Sequence, residues 1–256
     1  MGCDIHFYVE KKQDGRWVSA DEWEPSPDYV PGEGDREREI RYSRRFYSGR
    51  NYGLFAILAG VRNYWGINPI AEPRGVPDDV SDETLGEYAT ECDEQQATKW
   101  ISNGYSKRLR NGQVSCPDWH SASWFTLEEL LAFDWTQTVT CKTRVNGPQY
   151  EEWQSFLEYA DEPGPKQEYS PISLAGLERG ELKDVSREEL DRLVKAAMSD
   201  RATCQDELEK LKDTYAEVEW QEPYHQFASK FWSNTIPRML RLGDPKDVRC
   251  VFWFDN

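Results

Sequence analysis

The chain has 256 residues, of which 47 are acidic and 31 basic, and its formal charge of −16 opposes binding along the phosphates of a nucleic-acid groove. No apolar run reaches the roughly 20 residues that span a bilayer, and charged residues interrupt the N-terminus where a signal peptide would be apolar. The six cysteines lack C-x-x-C spacing, which disfavours a structural zinc site, and we expect a cytoplasmic protein with reduced thiols and no membrane segment.

The first predicted element is a half-buried strand over residues 3–10, CDIHFYVE. Cysteine, isoleucine, phenylalanine and valine alternate there with aspartate, histidine, tyrosine and glutamate, which is the period of a strand with one buried face. Asp14-Gly15 then predicts a hairpin turn, and a short second strand begins at Arg16.

The middle of the chain alternates between loops and short helices. Residues 24–45 are rich in proline, glycine and charge and predict a loop, whereas residues 51–60 show the spacing of a buried helix. Residues 66–81 contain several prolines and predict an extended loop, followed by a short helix over residues 82–92. Residues 93–117 are polar and predict no defined element.

Helix-capping residues mark the next part of the chain. Thr126 followed by Glu129 predicts a capping box and a helix over about residues 127–133. A strand is expected over residues 137–145 and a helix over residues 148–159.

A second capping box, Ser186 with Glu189, opens a long amphipathic pattern that predicts a helix through residues 186–213. The charged outer face of this helix makes it a candidate arm or homo-oligomer contact. A further helical stretch is predicted over residues 224–242, with a kink at Pro237.

The chain ends in an aromatic strand over residues 247–256. An apolar strand at a terminus requires a place in a sheet, because an unpaired one invites aggregation, and the first strand is its obvious neighbour. We therefore predict that the two terminal strands pair, which would bring Asp255 or Asn256 near Asp4 and His6.

The expected fold is α+β, with a central, mainly antiparallel sheet that pairs the N- and C-terminal strands, flanking helices and a helical arm. The length suits one large domain. Residues 1–256 are interpreted as a single domain, with residues 150–222 as a candidate helical insertion or arm.

Two of the three histidines close an Asp-x-His triplet, Asp4 with His6 and Asp118 with His120, while His225 is interpreted as structural. Residues two apart on a strand point to the same face, so each triplet can aim a carboxylate and an imidazole at one point. Such groups suit acid–base chemistry on a phosphodiester, with His6, His120 and Asp4 as the candidate catalytic residues. The same Asp4, His6 and His120 could instead hold a divalent metal with an open coordination position, and the cofactor stays unknown.

A phosphorylated ligand would also need positive charge, hydrogen-bond donors and a stacking surface. The candidate ligand-binding residues are Arg62, Asn63, Arg74, Ser121 and Trp124. The two arginines can hold a phosphate or carboxylate bidentately, and Trp124 or Tyr64 can stack on a nucleobase.

Structural roles compete with these assignments. Arg62 can cap the C-terminal end of its helix, and Arg74 can pair with Asp78 or Asp79 to hold its loop. The hydroxyl of Ser121 is interpreted as an ordinary helix-start group, because no G-x-S-x-G nucleophile elbow is present.

The segments MGCDIHFYVE, GRNYGLFAILAGVRN, PIAEPRGVPDDVS, HSASWFTLEEL and VFWFDN together resemble a family of small proteins encoded by bacteriophages. The resemblance covers both ends of the chain and the region to about residue 131, whereas residues 135–222 match no family that can be named. It implies a phage accessory protein of the kind that counters host defence in the bacterial cytosol. It carries no established activity and no catalytic residues with it.

The residues and the resemblance together predict a protein that binds a small nucleotide-like phosphorylated ligand, with phosphodiester hydrolysis as the candidate activity. Whether the protein is an enzyme stays open. One alternative is a non-catalytic sponge for a nucleotide signal, and another is an acidic inhibitor that binds a host protein through residues 186–213.

Overall fold

The computed structural model describes residues 2–27, 29–30, 37–159, 174–200 and 202–255. The strands are β1 (Asp4–Gln13), β2 (Arg16–Ser19), β3 (Trp23–Pro25), β4 (Arg38–Ile40), β5 (Ala89–Thr90), β6 (Val114–Ser115), β7 (His120–Thr126), β8 (Thr138–Asn146), β9 (Lys183–Asp184), β10 (Thr214–Pro223) and β11 (Val248–Asp255). The α-helices are α1 (Tyr52–Ala59), α2 (Asp82–Tyr88), α3 (Glu94–Ser102), α4 (Leu127–Ala132), α5 (Gly147–Tyr159), α6 (Leu174–Glu178), α7 (Arg187–Ala197), α8 (Cys204–Glu209), α9 (Tyr224–Phe227) and α10 (Ile236–Leu240). None of the helices in these residues has the length and hydropathy needed to cross a bilayer.

The chain folds into two compact units. Met1–Trp135 and His225–Asn256 form the first unit, and Thr136–Tyr224 form the second. The range 150–222, interpreted from the sequence as a candidate helical insertion, lies inside the second unit. That unit contains the sheet β8-β10-β9 as well as helices α5 to α8, so its architecture is mixed rather than helical.

The first unit is built on a four-stranded sheet in the order β2-β1-β11-β7. Strand β11 lies antiparallel to both β1 and β7, with Asp4 opposite Asp255 and Lys11 opposite Val248. The predicted pairing of the two terminal strands is therefore confirmed, and so is the α+β fold. The hairpin turn at Asp14-Gly15 joins β1 to β2, also as predicted.

One face of this sheet packs against α1. Ile5 and Phe7 lie opposite Phe254 and Phe252, and the ring of Phe55 on α1 contacts Phe254 edge-on with 5.0 Å between ring centres. Both strands contribute buried side chains to this layer. The apolar positions predicted for the first strand therefore form part of the core.

Helix α1 begins and ends where the sequence predicts. The side chain of Asn51 accepts a hydrogen bond from the backbone N–H of Leu54, which caps the first turn. Gly60 ends the helix in a left-handed conformation with a φ of 67°, which glycine adopts without steric cost.

The opposite face of the sheet is covered as well. Tyr8 stacks on Trp253 with 5.0 Å between ring centres, and Tyr88 of α2 packs edge-on against the same indole. Glu10 is fully buried and forms an ion pair of 2.7 Å with Arg249, whose side chain is 2% exposed. The expectation of a half-buried first strand is therefore wrong from Tyr8 onward, because α2 and its preceding loop cover this face.

Strand β7 and helix α4 follow one another directly. Thr126 accepts a hydrogen bond from the backbone N–H of Glu129, whose carboxylate accepts one from the backbone N–H of Thr126. The predicted capping box is therefore confirmed. The strand before it was not predicted, because a bulge between the pairs at Phe252 and Phe254 interrupts the alternation of β7.

One predicted helix is wrong in its extent, and another is confirmed as a helical stretch but is not a single α-helix. The long helix expected over residues 186–213 ends at Ala197, since a turn and the short α8 follow and the chain is extended from Thr214. The helical stretch over residues 224–242 is divided into α9, a π-helical turn and α10. Pro237 lies in the first turn of α10, where its missing N–H does not interrupt the helix.

The second unit has its own core. Strands β8 and β10 pair antiparallel, with Val145 opposite Ala216, and helices α5 and α7 contribute side chains to the same cluster. The buried residues of this core are Val145, Tyr150, Trp153, Leu190, Val194, Ala216 and Val218. Strand β8 and helix α5 agree with the predicted elements over residues 137–145 and 148–159.

Candidate functional site

Polar side chains converge at the end of the central sheet where β1 begins and β11 ends. His6 of β1 lies opposite Trp253, and His120 of β7 lies opposite Phe254, so β11 separates the two histidines. We call this region the sheet-end site. It consists of Asp4, His6, Arg50, Arg62, His120, Ser121 and Asp255.

His6 is held by a carboxylate from the far end of the chain. Its Nε2 lies 3.1 Å from Oδ2 of Asp255, and the other oxygen of Asp255 accepts the backbone N–H of Asp4 at 3.1 Å. Two indoles flank the imidazole, Trp253 at 5.9 Å and Trp119 at 4.4 Å between ring centres. Nδ1 of His6 makes no hydrogen bond to the described residues, which leaves it available to a ligand.

Asp255 therefore takes the orienting role that the sequence assigned to Asp4. The Asp4 carboxylate accepts two hydrogen bonds from Arg50, at 2.8 Å from Nε and 2.5 Å from Nη2. These bonds hold the pKa of Asp4 below its ordinary value. The prediction that Asp255 or Asn256 lies near Asp4 and His6 is confirmed for Asp255, and Asn256 lies outside the described residues.

His120 is bonded to its sequence neighbour rather than to Asp118. Its Nδ1 lies 3.1 Å from Oγ of Ser121, while Asp118 is exposed in the turn that precedes β7. The second Asp-x-His triplet thus does not lie on one extended strand, and the side chains of Asp118 and His120 do not point to the same place. Nε2 of His120 is buried.

The pKa of His120 is lowered by burial and then by the positive charge of Arg62, while the Asp255 carboxylate and a hydrogen bond with the backbone of Asp255 oppose this shift. A lowered pKa keeps the imidazole neutral at pH 7. His120 is therefore a proton acceptor rather than a cation in the resting site.

The two histidines approach Asp255 from different sides. The ring of His6 stacks on Trp253 and the ring of His120 stacks on Phe254, each with 5.9 Å between ring centres. Consecutive residues of a strand point to opposite faces, so the two imidazoles lie on opposite faces of the sheet. The predicted pair of histidines is thus brought to one end of the sheet but not into mutual contact.

Arg62 supplies permanent positive charge to this end of the sheet. Its guanidinium donates a hydrogen bond to the carbonyl oxygen of Gly2 at 3.3 Å, and hydrogen bonds to Tyr64 and Cys3 raise the pKa of Arg62. The positive charge of Arg62 lowers the pKa of His120. The sequence-based grouping of Arg62 with the histidines is consistent with this position.

Two residues of the site have a strained backbone. Arg62 has a φ of 53° and Ser121 a φ of 50°, and the third non-glycine residue with positive φ in the described ranges is Asp14 in the hairpin turn. A non-glycine residue in this region costs about 1–2 kcal/mol. Strain of this kind persists where the surrounding structure imposes it and clusters at functional sites, which supports the location of this one.

Asn63 has a structural role. Its Nδ2 donates to the carbonyl oxygen of Ile67 at 2.6 Å, and its Oδ1 accepts the backbone N–H of Ile67 at 2.9 Å. Both polar atoms of the amide therefore stabilise the turn after α1. This structural role explains an asparagine at position 63 without the ligand contact that the sequence suggested.

Arg74 and Trp124 form a separate cluster. The Arg74 guanidinium forms an ion pair of 2.8 Å with Glu129 and lies 5.2 Å from the ring centre of Trp124. Trp124 also lies 5.7 Å from the guanidinium carbon of Arg249. The guanidinium of Arg74, proposed to bind phosphate, and the indole of Trp124, proposed to stack on a base, are thus both in contact with other side chains of the protein. The predicted pairing of Arg74 with Asp78 or Asp79 is wrong, because Arg74 pairs with Glu129, and Asp79 pairs with Arg249 at 2.8 Å.

A metal site is not formed by the predicted residues. Within the described ranges, no group of three or more histidine, cysteine, aspartate and glutamate side chains is placed to hold a metal ion. Asp4, His6 and His120 are all described, and each is engaged differently: Asp4 with Arg50, His6 with Asp255 and His120 with Ser121. The acid–base interpretation of these residues is therefore better supported than the metal-binding one.

His225 lies away from the sheet-end site, as expected of a structural residue. Its Nδ1 lies 3.3 Å from the carbonyl oxygen of Trp135, and its backbone N–H donates to the same oxygen at 3.0 Å. This double contact fixes the start of α9.

Comparison of the chain with protein-family models, with curated proteins and with solved structures found no match. The geometry of the sheet-end site is therefore the basis for any functional conclusion.

Proposed function

We propose that the sheet-end site binds a small, phosphorylated, nucleotide-like ligand and exchanges protons with it. The observation that carries this proposal is the hydrogen bond between His6 and Asp255, which orients an imidazole whose side chain is 28% exposed. An imidazole fixed at one nitrogen and open at the other is suited to general acid–base catalysis. The reaction this favours is hydrolysis of a phosphodiester.

The positions of the arginines support a phosphate as the bound group. The charge of Arg62 lies beside His120, at the same end of the sheet as Arg50. Arg50 and Asp4 are both about half exposed, so their ion pair contributes only about 0–1 kcal/mol. A phosphate can therefore replace the Asp4 carboxylate as the partner of Arg50 at little cost.

Tyr64 is the residue of this region best placed to stack on a nucleobase. Its side chain is 67% exposed, beside Arg62, and its ring centre lies 6.3 Å from that of Tyr52. Stacking of a base on an exposed aromatic ring contributes about 1–3 kcal/mol. The ligand would then place its base on Tyr64 and its phosphate toward Arg62.

The two histidines suit different roles. His120 is neutral and accepts a proton, and His6, held by Asp255 through Nε2, presents Nδ1 to the ligand. Combined with the resemblance to phage-encoded proteins, this chemistry favours an accessory protein that removes a nucleotide signal of host defence in the bacterial cytoplasm.

The experiment is to incubate the purified chain with nucleotides, cyclic dinucleotides and NAD-derived metabolites and to analyse the supernatant and the denatured protein by mass spectrometry. His6→Ala and Arg62→Ala test the site. His225→Asn and Arg179→Ala are matched controls, since His225 bonds to Trp135 and Arg179 is exposed and bonded to Glu181.

A new product that His6→Ala abolishes, and that both controls still form, is the expected result. An intact compound recovered only from denatured protein, and lost in Arg62→Ala, would identify a sponge instead. If every compound stays free and unchanged, the small-ligand proposal is wrong.

A further inference from the structure

Ser121 stands out among the residues of β7 because its backbone is forced into an unfavourable conformation. Its φ of 50° lies in the left-handed region, and it follows His120 at the bulge where β7 pairs with β11. A serine in a sharp, strained turn presents its hydroxyl away from the regular alternation of a strand. The residue is half-buried, so the hydroxyl is neither in the core nor fully solvated.

The partner of this hydroxyl is a base. Oγ of Ser121 lies 3.1 Å from Nδ1 of His120, within the distance over which a serine proton is transferred to an imidazole. The imidazole is fixed by stacking on Phe254. Burial and the charge of Arg62 lower the pKa of His120, which keeps the ring able to accept that proton at pH 7.

We propose that Ser121 is a nucleophile and His120 its general base, and that the sheet-end site acts through a covalent phosphoserine. The choice of a phosphoryl substrate rests on the proposed function above. The reactivity of the serine rests on the 3.1 Å contact and the strained backbone alone.

The step balances in atoms and protons. Oγ of Ser121 forms a bond to phosphorus as its proton moves to Nδ1 of His120, and the bond from phosphorus to the leaving oxygen breaks as His120 passes this proton to that oxygen. Water then attacks the phosphoserine and gives a proton to Nδ1 of His120, and Oγ leaves with that proton. Arg62 stabilises the negative charge of the phosphoryl oxygens.

The test uses the full chain and a fluorophosphonate probe, whose P–F bond breaks as fluoride leaves when a nucleophilic serine attacks. Peptide mass spectrometry locates the adduct. We expect it on Ser121 in the native protein, and a labelling rate lower by about 10²–10⁴-fold in His120→Gln, the range for loss of a general base. Ser102→Ala, which removes an exposed hydroxyl of α3, is the matched control and should be labelled at the native rate.

Ser121→Gly removes the hydroxyl and keeps the fold, because glycine adopts a positive φ without strain. It should melt no lower than the native chain and form no adduct.

Absence of an adduct on Ser121 in the native protein, or equal labelling of His120→Gln, would overturn the proposal. If Ser121 forms the adduct but no phosphorylated compound is turned over, Ser121 is a nucleophile and the proposed phosphodiester hydrolysis is wrong. Turnover that persists in Ser121→Gly would keep the hydrolase and reject the covalent route.

Discussion

His6 and Asp255 are 249 positions apart in the sequence and lie 3.1 Å apart in the fold, Nε2 to Oδ2. The contact exists because β1 and β11 pair with Asp4 opposite Asp255, which places the carboxylate over the imidazole two residues along β1. The pair is therefore formed only when β1 and β11 pair.

We expect Asp255→Asn to lower turnover of the phosphorylated substrate by about 10²-fold, the lower end of the range for general acid–base catalysis. The amide keeps the size of the side chain but replaces the carboxylate that holds the imidazole of His6. Ligand binding, measured by calorimetry, should change little because Arg62 is untouched. A variant with native kcat would show that the carboxylate only holds the strand ends together.

Arg74→Ala should leave ligand affinity unchanged and lower the free energy of unfolding by about 1 kcal/mol. Its guanidinium pairs with Glu129 and lies over Trp124 and Phe125, contacts that together have about that value. Titration of the ligand and urea unfolding of the same preparation separate the two effects. Loss of affinity in Arg74→Ala with unchanged stability would restore the ligand-binding role that the sequence suggested.

The buried pair of Arg249 and Glu10 should be the most sensitive charged contact of the first unit. Arg249→Met leaves the carboxylate of Glu10 buried without its cation, and removal of one partner of such a pair costs about 3–5 kcal/mol. Glu10→Gln together with Arg249→Met should recover part of this loss. Arg179→Met, at an exposed pair with Glu181, is the control and should change stability by less than about 1 kcal/mol. Equal effects at both arginines would contradict the burial argument.

The pairing of the two terminal strands could be predicted from the sequence because an aromatic strand at the C-terminus had one plausible neighbour. The place of Asp255 beside His6 followed from that pairing. The partner of Arg74 could not be predicted, since Glu129 is 55 positions away and belongs to a helix cap whose carboxylate also serves the backbone of Thr126. Local sequence identifies the cap but not the distant arginine that uses it.

The strained backbone of Ser121 and its contact with His120 could not be predicted for a related reason. No recognised nucleophile motif surrounds it, and the alternation of β7 is broken at the same point, so periodicity assigned no strand there. A positive φ and a 3.1 Å contact to His120 are properties of the folded backbone. Sequence patterns report burial and local preference, and they do not report strain.

Asp21 should make the stability of the first unit depend on pH. Burial raises the pKa of this carboxyl to about 7, although the backbone N–H of Val9 donates to Oδ2. Arg238 and Arg45 act in the direction of a lower pKa, and Glu10 acts in the direction of a higher one. The folded chain therefore binds a proton at Asp21 under conditions in which the unfolded chain has released it.

The sign follows from proton linkage. Between the ordinary aspartate pKa of 3.8 and about 7, the folded state holds more protons than the unfolded state at this site, so the free energy of unfolding decreases as pH rises through that window. Asp21→Asn mimics the protonated form and should flatten the dependence, raising stability at pH 8 while changing it little at pH 4. Urea unfolding of both proteins from pH 4 to pH 8 measures this. Parallel curves for the two proteins would show that Asp21 is ionised in the folded chain at every pH tested.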